Sequence, residues 1–278
     1  MTFGFLQLDP VVFELGPLQV RWYGVLMALS VALGSYYLLR RGKRLGYDED
    51  FLYNLLLLSV LGGVIGARAV YVATNWEHYA QNLVAVIRTD WGGLSFHGAV
   101  IGGVLAGGLY IKKKKASFNE LADLAVPGFT LGIMLVRLAN ILNMEVMGRM
   151  TTGGFRHPAQ LYGSAIGLVL LIIYVLQSRR RPPAGYLFWS FALYYSILRG
   201  VIEETCRDNP LYVTAFIYEP WGMAGFTLVQ LLTPLFVAFS WWMRRRTLQS
   251  AALQAPAPPP RRRNNTGKGD RRRKGRNK

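Results

Sequence analysis

Long apolar runs alternate with short polar segments from about residue 20 to residue 243. Each run is about 20 residues long, which is enough for an α-helix to cross the hydrocarbon core of a bilayer. The runs lie at about 20–39, 51–74, 93–111, 121–142, 159–176, 186–202 and 223–243. The pattern therefore predicts an all-α polytopic membrane protein with seven transmembrane helices.

Clusters of basic residues follow the first, third, fifth and seventh of these helices. The clusters are Arg40–Arg44, Lys112–Lys115, Arg179–Arg181 and Arg244–Arg246. Lys and Arg are enriched in the cytoplasmic loops of membrane proteins, and all four clusters agree on one orientation. We predict that the N-terminus lies outside and the C-terminus in the cytoplasm. A soluble helical bundle, the alternative, would not place charges with this alternation.

The chain is predicted to have three parts. Residues 1–18 hold Pro10 and Pro17, carry no Lys or Arg, and lack the basic start of a secretory signal, so they are interpreted as an interfacial segment on the outer face. Residues 19–246 form the seven-helix membrane catalytic domain. Residues 247–278 form a basic cytoplasmic tail whose composition predicts disorder.

The tail carries most of the net charge of the chain. From Arg244 to the end there are 13 Lys or Arg residues and one acid, within a formal net charge of +17. We favour attraction of this tail to anionic lipid on the cytoplasmic leaflet. Contact with RNA is the alternative, since Arg-rich segments bind phosphate backbones, but we favour it less than lipid.

Composition narrows the chemistry further. Hydrophobic residues make up 52% of the chain, and its mean hydropathy is +0.22. The single cysteine, Cys206, excludes an intramolecular disulfide, and the three histidines lack the spacing of a metal motif. We predict neither a metal nor a cofactor. Glycines in the second and third helices, such as Gly66 and Gly102, indicate close helix packing.

The stretch from Arg137 to Tyr162 concentrates polar residues where its surroundings are apolar. It contains Arg137, Asn140, Asn143, Glu145, Arg149, Arg156, His157 and Gln160. Polar and ionisable groups are costly to keep at membrane depth, so such a cluster indicates a functional site. The predicted topology places this stretch at the outer end of the fourth helix.

Most other polar residues within the predicted helices also fall toward the outer leaflet. They are Tyr23 in the first helix, Arg68 and Tyr71 in the second, His97 in the third, and Tyr195, Arg199 and Glu203 in the sixth. The last three recur at i, i+4 and i+8, which predicts one stripe about 12 Å long. Arg199 and Glu203 could alternatively form only a structural ion pair. Arginine binds phosphate oxygens in bidentate fashion, so several of them together point to a phospholipid head group.

These residues lie in motifs that resemble the prolipoprotein diacylglyceryl transferase family. The motifs are RWYG at 21–24, GAR at 66–68, LSFHG at 94–98, RLANILNMEVMGR at 137–149, RHPAQLY at 156–162, and the stripe of Tyr195, Arg199 and Glu203 followed by Arg207. The resemblance covers about residues 10–243. The chain departs from the family pattern at Ala99, Val136, Ala139, Met144, Met147 and Gly163.

The resemblance implies an enzyme of the bacterial cytoplasmic (inner) membrane with its active site toward the outer leaflet. Such an enzyme moves the diacylglyceryl group of phosphatidylglycerol onto the lipobox cysteine thiol of a preprolipoprotein and releases glycerol phosphate. The positions that the resemblance marks as functional are Tyr23, His97, Arg137, Asn140, Glu145, Gly148, Tyr195, Arg199 and Glu203.

Each of these residues has a hypothetical role. Arg137 and Arg199 hold the phosphate, and His97 is the general base or proton relay for the substrate thiol. Asn140 and Tyr23 orient the head group, and Glu203 fixes Arg199. Glu145 and Arg149 order the loop over the site. The remaining residues assigned to substrate binding are Arg68, Gly148 and Tyr195. Cys206 has no base partner and is not assigned as a nucleophile. A transporter or flippase for an anionic lipid or solute is the alternative function.

Overall fold

The computed structural model describes residues 9–16, 18–80, 82–86 and 93–254, which are mostly helical. The long helices in this part of the chain are α1 (Trp22–Arg44), α2 (Glu49–Thr74), α4 (Phe96–Lys113), α5 (Phe118–Leu142), α6 (Ala159–Ser178), α7 (Tyr186–Leu198) and α9 (Leu228–Gln254). Short helices are α3 (Trp76–Tyr79) and α8 (Glu204–Cys206), and a π-helix at Arg199–Glu203 joins α7 to α8. Strand β1 (Val11–Leu15) pairs with β2 (Leu18–Arg21), and β3 (Ile217–Tyr218) pairs with β4 (Met223–Ala224), both antiparallel.

Side chains that accept a backbone N–H determine where several helices begin. Asp48, Ser95 and Ser117 precede α2, α4 and α5 and accept at distances of 3.0, 3.3 and 3.3 Å. Such caps satisfy donors that the first helical turn leaves unpaired. Helix α7 is capped by a residue far away in the sequence, because Asp123 of α5 accepts a hydrogen bond from the N–H of Gly185 at 2.8 Å. This bond also fixes the start of α7 against α5.

Helices α2 and α4 pack backbone to backbone through glycines. A Cβ atom on Gly98 would lie 2.2 Å from the carbonyl oxygen of Gly66, and one on Gly102 would lie 2.1 Å from that of Gly62. No side chain larger than hydrogen fits at these positions while the backbones stay in place. The pair therefore shows the close approach that small residues permit between membrane helices.

We expect Gly102→Ala to lower the melting temperature of the protein in detergent markedly, by a destabilisation of about 1–3 kcal/mol from overpacking. Gly108→Ala is the matched control on the same helix, because the nearest atom to its added Cβ would be 3.8 Å away. Alanine favours helix over glycine, so the control is expected to leave stability unchanged or slightly raised. Equal effects of the two changes would contradict the proposed packing.

Four helices of the described chain are long and apolar enough to cross a membrane, namely α1, α2, α5 and α6. Large apolar side chains on the outside of the bundle are exposed, among them Ile65 on α2 at 69% and Leu109 on α4 at 67%. A surface of this kind is stable in lipid and costly in water. The predicted helical membrane fold is thus confirmed, and each of the seven predicted runs is helical over most of its length.

Polar contacts bring several helix ends together at one end of the bundle. The hydroxyl of Tyr47, between α1 and α2, donates to Glu120 near the start of α5 at 2.6 Å. Burial and this hydrogen bond raise the pKa of Tyr47 to about 12, so it stays a donor at physiological pH. Arg244 of α9 donates to the hydroxyl of Tyr186 at the start of α7. The outgoing ends of α5 and α7 consequently lie at the opposite end.

Several predicted boundaries were wrong. Helix α9 begins at Leu228 rather than at residue 223, because Met223 and Ala224 pair with β3. It continues to Gln254, so the predicted disorder of 247–278 does not hold for 247–254, while 255–278 lie outside the described residues. The described part of 1–18 belongs to a hairpin that extends to Arg21, and its predicted place at the outer membrane interface stays a prediction. The two small sheets were not anticipated in an all-α protein.

Candidate functional site

Two arginines from different helices converge on one buried carboxylate. Arg137, in the last turns of α5, lies with Nη2 2.5 Å from Oε1 of Glu203. Arg199, at the start of the π-helix, lies with Nη1 3.9 Å from Oε2 of the same residue. The side chain of Glu203 is completely buried. A buried carboxylate requires a charged partner, so Glu203 fixes the separation between the two arginines.

Asn140 and Glu145 extend this contact toward the outer loop. Asn140 is 3% exposed. Its side-chain amide is oriented so that Oδ1 accepts a hydrogen bond from Arg137 Nη1 and Nδ2 donates one to Glu145 Oε2, each at 3.2 Å. Glu145 itself is exposed. Tyr23 of α1 lies within electrostatic range of both Arg137 and Glu145. The structure therefore brings four predicted site residues, Tyr23, Arg137, Asn140 and Glu145, to one place.

Glu204 is a second buried carboxylate that the sequence analysis missed. Its Oε1 accepts from Arg199 Nη2 at 3.0 Å, and its Oε2 accepts from Asn209 Nδ2 at 2.7 Å and Thr227 Oγ1 at 3.2 Å. Arg207 Nη1 lies 3.6 Å from Oε1. The spacing of three residues from Glu204 to Arg207 predicts such a pair on a helix and could have identified this residue.

Arg199, the first residue of the π-helix, is therefore held differently from the prediction. Arg199 was expected to pair with Glu203, but its closer carboxylate is Glu204, at 3.0 Å against 3.9 Å. The π-helix causes the difference, because the N–H of Glu204 donates to the carbonyl of Arg199 five residues earlier. Tyr195 remains with Arg199, since Arg199 Nη1 donates to its hydroxyl at 3.1 Å.

We call Arg137, Arg199, Arg207, Glu203 and Glu204 the arginine cluster. Its three arginine side chains are 13%, 21% and 21% exposed, and its two carboxylates are completely buried. Burial lowers the pKa of Arg207, and the adjacent Glu204 opposes that shift. With every group ionised, the cluster has one more positive than negative charge. An excess of one positive charge complements a phosphodiester, which carries one negative charge.

The outer loop 143–158 is attached to the chain that follows the cluster. The N–H of Arg149 donates to the carbonyl of Cys206 at 2.9 Å, and Arg149 Nη2 donates to the carbonyl of Asn209 at 2.7 Å. Arg156 Nη1 contacts Asp208 Oδ2 at 3.0 Å. Arg156 Nη1 also donates to the carbonyl of Gly148, where an added Cβ would be 2.1 Å from the carbonyl oxygen of His157. These contacts attach Arg149 to the chain that follows the arginine cluster, and its role in ordering the loop over the site stays a prediction.

Two residues of this loop adopt backbone conformations that favour glycine. Met144 has φ of +56° and Val146 has φ of +57°. A side chain in the left-handed region meets its own backbone, and the cost is greatest for β-branched residues such as Val146. Met144 is one of the positions at which the chain departs from the family pattern, and its positive φ is a conformation that glycine adopts without strain.

Replacing Met144 with glycine is expected to stabilise the protein by about 1 kcal/mol, because the left-handed conformation costs glycine nothing. The Met144 side chain is 60% exposed, so little packing is lost. The measurement is the melting temperature in detergent. Met147→Gly is the control, since Met147 does not have a positive φ and glycine therefore relieves no strain there. The Met147 sulfur also accepts a hydrogen bond from Gln160, which the change removes. A lower melting temperature for Met144→Gly would contradict this explanation.

Arg68 holds the segment that leads into α4. Its Nε, Nη1 and Nη2 donate to the carbonyls of Val86, Gly93 and Ala85 at 2.7, 2.9 and 2.6 Å. Its guanidinium also lies 5.1 Å from the centre of the Tyr79 ring. These contacts show Arg68 positioning a loop, and its contribution to substrate binding stays a prediction.

Among the described residues, His97 makes no hydrogen bond or ion pair with the arginine cluster. It is exposed on the first turn of α4 and contacts the ring of Phe96, with ring centres 6.0 Å apart. The N–H of Ser95 donates to the carbonyl of Ala67 at 3.0 Å, and this bond holds the start of α4 against α2. The His97 imidazole is therefore accessible, on a fixed backbone.

Comparison with known proteins gives consistent matches. A profile of the family described as prolipoprotein diacylglyceryl transferase matches residues 10–244. Relatives from Thermoanaerobacter sp. (strain X514) and Caldanaerobacter subterraneus subsp. tengcongensis are 49% and 50% identical over 238 residues, which cover 85% of this chain and 93% of each relative. One from Thermus thermophilus is 34% identical over 265 residues, covering 83% and 95%. All three are named phosphatidylglycerol–prolipoprotein diacylglyceryl transferase.

Proposed function

The chain belongs to the prolipoprotein diacylglyceryl transferase family, and on that premise we propose that it transfers the diacylglyceryl group of phosphatidylglycerol to a preprolipoprotein. The acceptor is the lipobox cysteine thiol, and the products are a thioether and glycerol phosphate. The observation that carries the proposal is the convergence of Arg137 and Arg199 on Glu203. It provides two guanidinium groups at a fixed separation for one phosphate.

The reaction moves negative charge from sulfur to phosphate. The thiol gives its proton to a base. The thiolate then attacks the carbon of the diacylglyceryl group that is esterified to the phosphate. The carbon–oxygen bond breaks, and its electron pair leaves with glycerol phosphate. The phosphodiester, with one negative charge, becomes a monoester that carries up to two. Arg137 and Arg199 would stabilise this added charge, which develops in the transition state.

The remaining site residues support this step. Asn140 and Tyr23 would orient the glycerol head group through hydrogen bonds, and Tyr195 keeps the guanidinium of Arg199 in place. His97 would accept the thiol proton, since a thiol is a weak nucleophile until it is ionised. Arg68 serves the site indirectly, by fixing the segment that precedes His97.

The proposed membrane topology has seven spans, with the N-terminus outside and the site toward the outer leaflet of the inner membrane. Contacts at one end of the bundle support it, because Arg244 and Tyr47 lie there, next to basic clusters. The arginine cluster lies at the other end. In a Cys206→Ser background, a cysteine at Thr152 should react with an impermeant thiol reagent added to intact cells, and one at Lys115 should not. The reverse labelling would contradict the orientation.

Purified protein in phosphatidylglycerol vesicles tests the proposed activity. With a lipobox peptide, we expect release of glycerol phosphate and an increase in peptide mass by one diacylglyceryl group. A peptide with serine in place of the lipobox cysteine is the control and should give neither product. Movement of labelled lipid between leaflets without these products would instead indicate a transporter or flippase.

A further inference from the structure

The π-helix at Arg199–Glu203 places two successive carboxylates on one side of the chain. In an α-helix, a residue five positions after Arg199 would be rotated about 140° away from it. Here the backbone N–H of Glu204 donates to the carbonyl of Arg199, so the backbone hydrogen bond spans five residues instead of the four of an α-helix. Glu203 and Glu204 consequently both face the arginines, and both are completely buried.

The two carboxylates divide the arginines between them. Glu203 lies 2.5 Å from Arg137, and Glu204 lies 3.0 Å from Arg199 and 3.6 Å from Arg207. Two neutral donors, Asn209 and Thr227, occupy the other oxygen of Glu204. Four donors from three parts of the chain therefore determine the position of the Glu204 carboxylate.

We propose that Glu204 is a positioning residue for the transfer reaction and acts by directing Arg199 toward the lipid phosphate. The proposal rests on the function proposed above. Without the charge of Glu204, the nearest carboxylate for Arg199 is Glu203, at 3.9 Å, which already pairs with Arg137. Arg199 would then move closer to Glu203, which it now approaches only to 3.9 Å, and away from its place beside the phosphate.

Thr227 connects this carboxylate to the start of α9. The Thr227 N–H donates to Oε1 of Gln230 at 2.8 Å, and the Gln230 N–H donates to Oγ1 of Thr227 at 3.3 Å. This reciprocal pair is a capping box, which fixes the first turn of a helix. Gln230 Nε2 also donates to Thr205 Oγ1 at 3.1 Å. The position of Glu204 is therefore set by the packing of α9 against α8.

The test substitutes Glu204→Gln, which keeps the size of the side chain and removes its charge. We expect kcat to fall about tenfold or more, because a small displacement of a catalytic group is enough for such a loss. The KM for phosphatidylglycerol should not rise, because the cluster gains net positive charge. Glu120→Gln is the matched control, at the opposite end of the bundle, and should retain the wild-type kcat and KM.

A double-mutant cycle separates positioning from general support of the fold. If Glu204 acts through Arg199, then Glu204→Gln should change kcat less than about twofold in an Arg199→Lys background. An equal fold loss in both backgrounds would overturn the proposal, as would a kcat within twofold of wild type for Glu204→Gln alone. If Glu204→Gln does not accumulate, Glu204→Asp decides: a threefold or greater loss of kcat supports the proposal, and a wild-type kcat overturns it.

The wild-type protein is assayed in the same vesicles with the same lipobox peptide. Absence of transfer by the wild type would contradict the proposed function itself. Transfer by the wild type together with an unaffected Glu204→Gln variant would contradict only the role of Glu204. Each variant's rate is expressed per folded protein, measured by its melting transition, so that a stability effect alone counts against the proposal.

Discussion

Replacing Arg137 with glutamine is expected to remove activity almost completely and to destabilise the protein. Activity should fall about 100- to 1,000-fold, the usual effect of removing one stabilising donor from a transition state. Stability should fall by roughly 3–5 kcal/mol, because the buried Glu203 would lose its closer partner and keep only Arg199, at 3.9 Å. The measurements are glycerol phosphate release and the melting temperature in detergent.

The double substitution Arg137→Gln with Glu203→Gln separates these two effects. Neutralising Glu203 removes the unpaired buried charge, so the melting temperature should return most of the way to that of the wild type. Activity should not return, since the phosphate still lacks Arg137. Recovery of activity in the double variant would show that Arg137 only compensates Glu203 and does not act on the substrate.

The sequence predicted the helices well because bilayer insertion leaves a strong pattern. Runs of about 20 apolar residues define helix positions to within a few residues, as at 51–74, where α2 spans Glu49–Thr74. Helical spacing also placed Asn140 beside Arg137, because residues three apart share a face. The number of spans and the orientation of the termini remain predictions from the basic clusters.

The finer arrangement of the site depended on features that spacing rules do not contain. A stripe of Tyr195, Arg199 and Glu203 assumes α-helical geometry, and the π-helix changes that geometry at Arg199. The bond that closes the π-turn comes from Glu204, which a regular helix would direct elsewhere. Similarly, the length of α9 beyond Arg246 could not be inferred, because the uncharged segment 247–254, which contains Ala, Leu and Gln, is compatible with helix or coil.

The site is built on a rigid frame rather than on a single helix. Helix α5 supplies Arg137, and the π-helix supplies Arg199. Thr227, directly before α9, donates to the buried carboxylate of Glu204. The outer loop is joined to the same region by the bond between Arg149 and the Asn209 carbonyl. Positions fixed from several helices keep donors ready for developing charge, which is what electrostatic stabilisation requires. The exposed His97, outside this frame, fits a group that meets the incoming peptide.

Replacing His97 with glutamine is expected to lower the rate of transfer about 100-fold or more at neutral pH, the typical contribution of a general base. Glutamine has a similar size and hydrogen-bonding capacity but cannot accept the thiol proton. The residual rate of the variant should rise about tenfold per pH unit until the peptide thiol ionises, near pH 8.5. The wild-type rate should depend less steeply on pH, because its base is part of the protein.

The pH dependence distinguishes this role from a structural one. His78→Gln is the matched control, because His78 is exposed and contacts the ring of the adjacent Tyr79. It should retain the wild-type rate and pH profile. If His97→Gln lowers the rate by the same factor at every pH, then His97 positions the peptide or the lipid and another group takes the proton. Among the described residues, that outcome would direct attention to Glu145, the exposed carboxylate hydrogen-bonded to Asn140.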